Sequence, residues 1–440
     1  MSARIVGIVN VTPDSFSDGG LYERPQDAVR HGLELLHDGA DELDVGGEST
    51  RPDADPVSVA AECARVAPVI KGLRAAGVTA PISIDSFHPE TARAALEAGA
   101  DGINDVTGFR DPAMRLLAAE AGARCVVMYG PADGRPGPET QARPDFAATV
   151  DFLQAQAALL REAGVAAERI ALDPGFGFSG SRDDDIKLFG QMPHVAGDFV
   201  TSPATSSALY VGLSRKRFLR VLFGEDRPLG ELDQASAELS AALAAAGARY
   251  LRVHDAGATR RELDRLATQP PQTAYVALGS NIEPGEAHLR AALYALAALP
   301  ATTLDAVAPT YLSEPAYYRD QPPFYNTVAR LKTRLGPRAL FAELQAAERL
   351  AGRVKTVLNG PRNIDLDLLS YGDVILKTEA LVLPHPRIAQ RAFVVEPLLA
   401  LDPDYRFPTG LRLSREAECQ GAIIKVLPVL APGEPFDLQR

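Results

Sequence analysis

Along its first 267 residues the chain repeats one arrangement. A short apolar run is followed by a longer Ala- and Leu-rich segment whose apolar positions recur with helical spacing. Short, continuously apolar runs read as strands buried on both faces of a parallel sheet. They fall at 4–10, 42–45, 82–85, 102–105, 124–128, 170–173, 209–212 and 251–254. Segments between them, such as 26–37, 89–98 and 235–246, carry the period of helices. Eight such units in this length predict an α/β fold of the (β/α)8 TIM-barrel type rather than an open sheet.

Polar residues sit at the ends of these runs. Asn10, Asp44, Asp85, Asn104, Asp173 and His254 each close a strand. In a barrel those ends converge on the rim where chemistry is done. Helix capping accounts for one or two such residues and not for a whole ring of them. A proline-containing stretch at 268–273 then reads as a stiff linker between a domain at 1–267 and a second at 274–440. The second pattern is mixed. Strand-like runs at 274–281, 325–332 and 364–369 alternate with helical segments at 287–299 and 337–350, which predicts an α+β domain. The segment 191–207 reads as an exposed insertion, and the chain from Pro428 onward as a loose tail.

Composition narrows the possibilities. Of 440 residues, 46% are hydrophobic and 23% charged, enough apolar material for two cores. A net charge of −12 argues against nucleic-acid binding. Cys63, Cys125 and Cys419 are scattered and odd in number, which fits neither a disulfide framework nor a thiolate metal site and points to a cytoplasmic setting. No apolar run reaches membrane-helix length, so no membrane partner is expected.

Five motifs carry the chemistry of the first domain. They are Asn10-Val-Thr-Pro-Asp-Ser-Phe-Ser-Asp-Gly-Gly20, Asp44-Val-Gly-Gly-Glu-Ser-Thr-Arg-Pro52, Asp173-Pro-Gly-Phe-Gly-Phe178, Gly212-Leu-Ser-Arg-Lys216 and Arg252-Val-His-Asp255. In this order they resemble the dihydropteroate synthases. That resemblance implies joining p-aminobenzoate to a dihydropterin that carries a CH2-pyrophosphate, with pyrophosphate released. It further implies that Asp85, Asn104, Asp173, Lys216 and Arg252 hold the pterin, and that Asn10, Arg51, Arg252 and His254 meet the pyrophosphate. Asn10 would also help ligate Mg2+, and Thr50, Arg51 and Pro52 would contact p-aminobenzoate, where sulfonamides would compete. Asp85, Lys216, Arg252 and His254 are the catalytic candidates. The family's Met-His-Met after strand five is here Met128-Tyr129-Gly130, which leaves Met128 as a packing residue. A homodimer through the barrel is the family expectation.

In the second domain, Gly360-Pro-Arg-Asn-Ile-Asp365-Leu-Asp367 sets two carboxylates on one side of a strand. Such neighbours repel unless a cation lies between them, and Mg2+ accepts both carboxylate and phosphate oxygens. No Gly-x-x-x-x-Gly-Lys-Ser/Thr loop occurs, so this is not a P-loop kinase. With Phe324-Tyr-Asn326, Glu348, Arg353 and Pro384-His385, the segment resembles the hydroxymethyl-dihydropterin pyrophosphokinases. The resemblance implies a ferredoxin-like fold and transfer of pyrophosphate from ATP to the pterin hydroxymethyl group, leaving AMP. Asp365 and Asp367 would be catalytic and bridge Mg2+ to the phosphates. Glu348, Arg353, Lys355, Arg362, His385 and Arg391 would serve ATP, and Phe324, Asn326 and Phe393 the pterin. Phe324 stands where Tyr is expected and loses a hydroxyl, and Lys355 replaces a bidentate Arg by a point charge.

Two other readings compete with this one. A related pterin-binding barrel transfers a methyl group to a corrinoid, and the Thr50-Arg51-Pro52 and Ser214-Arg215-Lys216 segments argue against it. A dead scaffold would not need to keep Asp173, Lys216, His254, Asp365 and Asp367 together.

Overall fold

Buried parallel strands bond to neighbours on both sides, and a closed ring of them leaves no open edge. The computed structural model describes residues 3–12, 25–49, 55–134, 146–178, 181–200, 208–353, 359–415 and 419–433. Strands β1 (Arg4–Asn10), β2 (Glu42–Gly46), β3 (Ile82–Asp85), β4 (Gly102–Asp105), β5 (Arg124–Met128), β6 (Ile170–Asp173), β7 (Ala208–Val211) and β8 (Tyr250–Val253) close into a parallel barrel in chain order. Around it run α1 (Pro25–His37), α2 (Val59–Ala75), α3 (Pro89–Glu97), α4 (Pro112–Glu120), α5 (Phe146–Glu162), α6 (Arg182–Val200), α7 (Arg217–Phe223), α8 (Leu229–Ala245) and α9 (Ala256–Thr268). The chain forms two compact units, with the main division between Asp264 and Arg265.

The barrel register brings the polar strand ends side by side. Asn10 pairs with Gly46, Gly46 with Asp85, Asp85 with Asn104, and Met128 with Asp173. Below this rim, Val6, Val126, Ala171 and Tyr210 fill the interior. At the opposite end buried Glu42 pairs with Arg124 and, at 2.8 Å, with Arg4. β7 and β8 each lie one residue earlier than the sequence predicts. His254 falls past its strand because its backbone N–H donates to the Ser214 hydroxyl at 3.2 Å instead of to the ladder. The 191–207 segment also departs from expectation. Helix α6 continues through it to Val200 with Met192 fully buried, and 201–207 lie outside the described residues.

The second unit is built on β9 (Gln272–Ser280), α10 (Gly285–Ala298), β10 (Thr302–Val307), β11 (Pro309–Ser313), β12 (Phe324–Thr333), α11 (Pro337–Leu350) and β13 (Asp365–Tyr371). A short hairpin of β14 (Leu376–Lys377) and β15 (Val382–Leu383), helix α12 (Ala392–Leu401) and strand β16 (Ile423–Val429) follow. The sheet order is β13-β9-β12-β11-β16, antiparallel at each pairing, with β10 also on β12. Counting β9, β11, β12 and β13 as first to fourth, this is the ferredoxin-like order fourth, first, third, second. Helix α12 packs Val394, Val395 and Leu398 on Tyr275, Val328 and Leu369. Gln272 and Thr273 already pair with Thr333 and Lys332, so β9 begins inside the stretch read as linker.

The chain's end is not loose where it was expected to be. Pro428 and Val429 belong to β16, which pairs with β11, and Gly433 N–H donates to the Arg290 carbonyl at 3.0 Å. Residues 434–440 lie outside the described residues.

One stack supports the rim directly. Phe176, after β6, lies 5.9 Å from Phe218 at the start of α7, and both rings are fully buried. Phe176→Ala is expected to cost about 3–5 kcal/mol through lost burial and the cavity left behind. Urea unfolding of the full chain, read on the barrel's transition, checks this.

Candidate active sites

The rim of the barrel is organised by one buried cation. The Arg252 guanidinium donates from Nε to Asp44 Oδ2 at 2.6 Å and from Nη2 to Asp85 Oδ2 at 2.7 Å. Asp44 is fully buried and also accepts from Asn104 Nδ2 at 3.1 Å and Ser83 Oγ at 2.5 Å. A guanidinium fork that matches two carboxylates is held strongly protonated despite its burial. Burial pushes Asp85 up to about 7, with Asp44 and Glu62 adding to the push and Arg252 and Lys216 opposing it. Glu62 is itself held by Thr91 Oγ1 at 2.7 Å and by His88 Nδ1 at 2.9 Å.

Lys216 faces the same acids from the other side. Burial, then the nearby Arg252 charge, pulls its ammonium down to about 8, while Asp185, Asp173 and Asp85 hold it up. Its Nζ lies 4.1 Å from the Phe178 ring centroid. Gly177 permits this approach, because a Cβ there would stand 2.8 Å from Lys216 Cδ, on a backbone with φ 76°. Asp173 is buried, and its Oδ1 accepts from Gly175 N–H at 2.8 Å. His254 Nδ1 lies 3.0 Å from Ser214 Oγ, so Ser214 orients both the ring and the backbone of this residue. Met128 packs with Val106 and Phe178 beneath the loop after β6.

The rim thus gathers Asp85, Asn104, Asp173, Lys216, Arg252 and His254 with Asn10 at the end of β1. Thr50, Arg51 and Pro52 lie outside the described residues. Two polar atoms in this region are buried without a hydrogen-bond partner among the described residues, Asn104 Oδ1 and the Tyr210 hydroxyl. Sequence reasoning placed Asp44 on the rim without giving it a role. Arg215, inside a motif, faces away, with its fork on Asp233 at 2.6 and 2.9 Å and its N–H on Ser236. It holds the turn before Lys216, at φ 58°.

In the second unit a cleft opens at one end of the sheet. Asp365 and Asp367, two apart on β13, form one wall. Asp365 pairs with Arg353 at 2.6 Å and Arg362 at 3.0 Å, and Asp367 with Arg391 at 3.1 Å. Burial and the charge of Asp365 push Asp367 above the usual carboxylate range, against His385, Arg391 and Arg362. His385 is pulled below its usual value by burial first, and its Nδ1 accepts from Arg387 N–H at 3.2 Å.

Phe324, Asn326 and Phe393 line the same cleft. The Arg362 guanidinium lies 5.1 Å from the Phe324 ring and that of Arg391 5.7 Å from the Phe393 ring. Gly421 lets the chain pass behind Phe393, since a Cβ there would meet the ring at 2.5 Å and φ is 75°. Asn326 donates to Ser313 Oγ at 2.9 Å and to the Phe324 carbonyl at 3.2 Å. Glu348 is buried behind the wall and accepts from Leu366 N–H at 2.7 Å and from Arg353, which locks β13 to the guanidinium. Asn281 was not singled out from sequence. It accepts from Arg362 N–H at 2.8 Å and donates to Gln321 at 3.0 Å, fixing the loop before β13. Lys355 lies outside the described residues.

Known proteins resemble the chain in two consecutive spans. The family described as pterin binding enzyme matches residues 6–254, and that of 7,8-dihydro-6-hydroxymethylpterin-pyrophosphokinase matches residues 275–403. A dihydropteroate synthase of Streptococcus pyogenes is 42% identical over 260 residues, covering 59% of this chain and 92% of the relative. A dihydropteroate synthase of Xanthomonas albilineans, solved with 4-aminobenzoic acid, is 39% identical with a TM-score of 0.53, covering 60% of this chain and 91% of that one. That of Burkholderia cenocepacia, solved with 7,8-dihydropteroate, is 37% identical with a TM-score of 0.52, covering 60% and 89%.

The Arg215–Asp233 clamp gives a test of how the rim is braced. Arg215→Ala leaves the Asp233 carboxylate buried without this cation and is expected to cost about 3 kcal/mol. Replacing both, as Arg215→Met with Asp233→Leu, is expected to recover much of the loss, because the desolvated charge is gone as well. Denaturant midpoints of the two variants and the parent chain measure the difference.

Proposed function

This chain belongs to the pterin-binding enzymes, among the dihydropteroate synthases, with a hydroxymethylpterin pyrophosphokinase domain behind, and from that premise we infer that it carries out two consecutive steps of folate biosynthesis. In the second unit, the hydroxyl of 6-hydroxymethyl-7,8-dihydropterin attacks the β-phosphorus of ATP. The α–β bridging bond breaks, AMP leaves, and the hydroxyl proton is released. In the barrel, the amine of p-aminobenzoate attacks the pterin methylene. The C–O bond breaks, pyrophosphate leaves, and the amine loses a proton to give 7,8-dihydropteroate.

What supports this reading in the barrel is the company kept by Arg252: two carboxylates, an amide and a lysine gathered at the strand ends. A flat heterocycle with adjacent donors and acceptors needs such a mixed edge in a dry pocket. On our reading Asp85, Asn104, Asp173 and Lys216 hold the pterin. Arg252 flanks it and, with His254, Asn10 and Arg51, meets the departing pyrophosphate. Thr50, Arg51 and Pro52 receive p-aminobenzoate, so sulfonamides compete there.

In the second unit, Arg353, Arg362, His385, Arg391 and Lys355 neutralise the triphosphate, and Glu348 serves ATP by holding Arg353 and β13 in place. Phe324 and Phe393 take the pterin between them, with Asn326 at its edge. The carboxylate pair suits a hard divalent cation, since burial and, after it, the repulsion from Asp365 lift Asp367, and a bound Mg2+ would relieve that repulsion. Asp365 and Asp367 would hold that Mg2+, which supplies charge neutralisation at the phosphate oxygens, and Asn10 would do so in the barrel. We assign residues 1–267 to the synthase and 274–440 to the kinase, with the linker stretch 268–273 already carrying the first two residues of β9. Among the described residues no helix is long and apolar enough to cross a membrane. A cytoplasmic homodimer joined through the barrel completes the proposal.

One coupled assay tests the pair of activities. Hydroxymethyl-dihydropterin, ATP, Mg2+ and p-aminobenzoate should yield AMP and dihydropteroate together. Asp365→Ala with Asp367→Ala should abolish AMP formation while the barrel still consumes preformed pterin pyrophosphate. Loss of both activities in a folded variant would overturn the two-site reading.

Acidity follows from the same residues. Asp85 accepts from the pterin only when ionised, so affinity rises with pH through about 7. Lys216 donates only when protonated, so affinity falls as pH passes about 8. The kcat/KM for pterin pyrophosphate is therefore expected to be bell-shaped with a narrow maximum between them, and Asp85→Asn should remove the acid limb. A flat profile from pH 6 to 9 would contradict these roles.

A further inference from the structure

Tyr210 is the residue of the barrel interior that neither the sequence motifs nor the family roles use. It lies on β7 with its side chain turned into the barrel interior. Its ring packs among Val6, Val126 and Ala171, 5.9 Å from the ring of Tyr250, and only 2% of the residue is exposed. The hydroxyl at the end of that ring has no hydrogen-bond partner among the described residues. The charges it feels are those of Asp44, Arg252, Asp173 and Asp85, which are all rim groups. Burial keeps the phenol un-ionised.

The ring lies beside the site layer, since Val126, in its packing cluster, is the register partner of Asn104. A buried hydroxyl left unpaired costs about 1–3 kcal/mol, and phenylalanine would fill the same layer without that cost. Asn104 Oδ1 is likewise buried and without a partner among the described residues, while its Nδ2 donates to Asp44. The two atoms differ in kind: the amide oxygen only accepts, and the phenol both donates and accepts.

We propose that Tyr210 is a further pterin-binding residue, its hydroxyl forming the floor of the barrel site and hydrogen-bonding the polar edge of the bound dihydropterin. This rests on the reading of the barrel as a pterin site. A pyrophosphate group fits this position poorly, because a phenol that burial keeps neutral offers no counter-charge. A flat, uncharged ring edge that carries both N–H and C=O groups matches it.

The test is Tyr210→Phe in the full-length chain, assayed with preformed pterin pyrophosphate and p-aminobenzoate. The KM for pterin pyrophosphate is expected to rise about 3- to 10-fold, the loss of one hydrogen bond between neutral groups. The KM for p-aminobenzoate should be unchanged, as should both constants in Tyr250→Phe, which alters the neighbouring ring. An unchanged pterin KM overturns the proposal whichever way the melting temperature moves. A raised melting temperature would mark the hydroxyl as a packing defect, and a lowered one would mark it as serving the fold. The parent chain's own turnover tests the underlying reading separately. If it forms no dihydropteroate, the substrate and this role for Tyr210 fall together.

Discussion

A charge taken out of water must be met by another, and this requirement shapes both units. In the barrel, Arg252 can be buried only because Asp44 and Asp85 take its fork from two neighbouring strands. Those carboxylates are tolerated in turn because the guanidinium lies between them. The three strands β2, β3 and β8 are thereby tied at their ends by side chains as well as by the ladder. Asn104 and Ser83 are recruited through the spare oxygens of Asp44. Removal of any member leaves a desolvated charge on another, so the rim is held in one arrangement before any ligand arrives.

The second unit meets the same requirement with a different geometry. Its acids are neighbours on one strand rather than on two, and separate guanidiniums serve them. Arg353 and Arg362 serve Asp365, and Arg391 serves Asp367. Arg353 is anchored from behind by Glu348, and the backbone of Arg362 by Asn281. The aromatic walls are tied into this network, since the guanidiniums that face Phe324 and Phe393 belong to the residues paired with the aspartates.

Much of this was legible in the chain before any coordinates. The barrel strands were legible because a strand buried on both faces leaves an unbroken apolar run, and rim residues announce themselves as the polar group that ends it. Asp44 could be placed on the rim but not given its work, because its partner Arg252 lies 208 residues away. Asn281 and Ser214 act through single hydrogen bonds to distant loops, which leave no periodic trace. The ends of β7 and β8 were misjudged because Gly212 and His254 follow directly on the apolar runs although both lie past the last strand residue. The segment 191–207 was taken for an exposed insertion because of its length and the polar run at 201–207, whereas helix α6 continues through 191–200. The last strand was misread because Pro428, at the edge of the sheet, looks like an ending.

That last strand has a consequence in time. Strand β16 is drawn from residues 423–429, yet it covers the edge of β11, whose Ser313 holds Asn326, and the turn that leads into it passes behind Phe393 at Gly421. A polypeptide made from its N-terminus can close the barrel while translation continues. The second sheet cannot be finished until residues 423–429 have left the ribosome. The unit that acts first on the pterin is therefore the last to mature, and a message cut short by even a few codons in this region would yield a complete barrel behind an unfinished kinase.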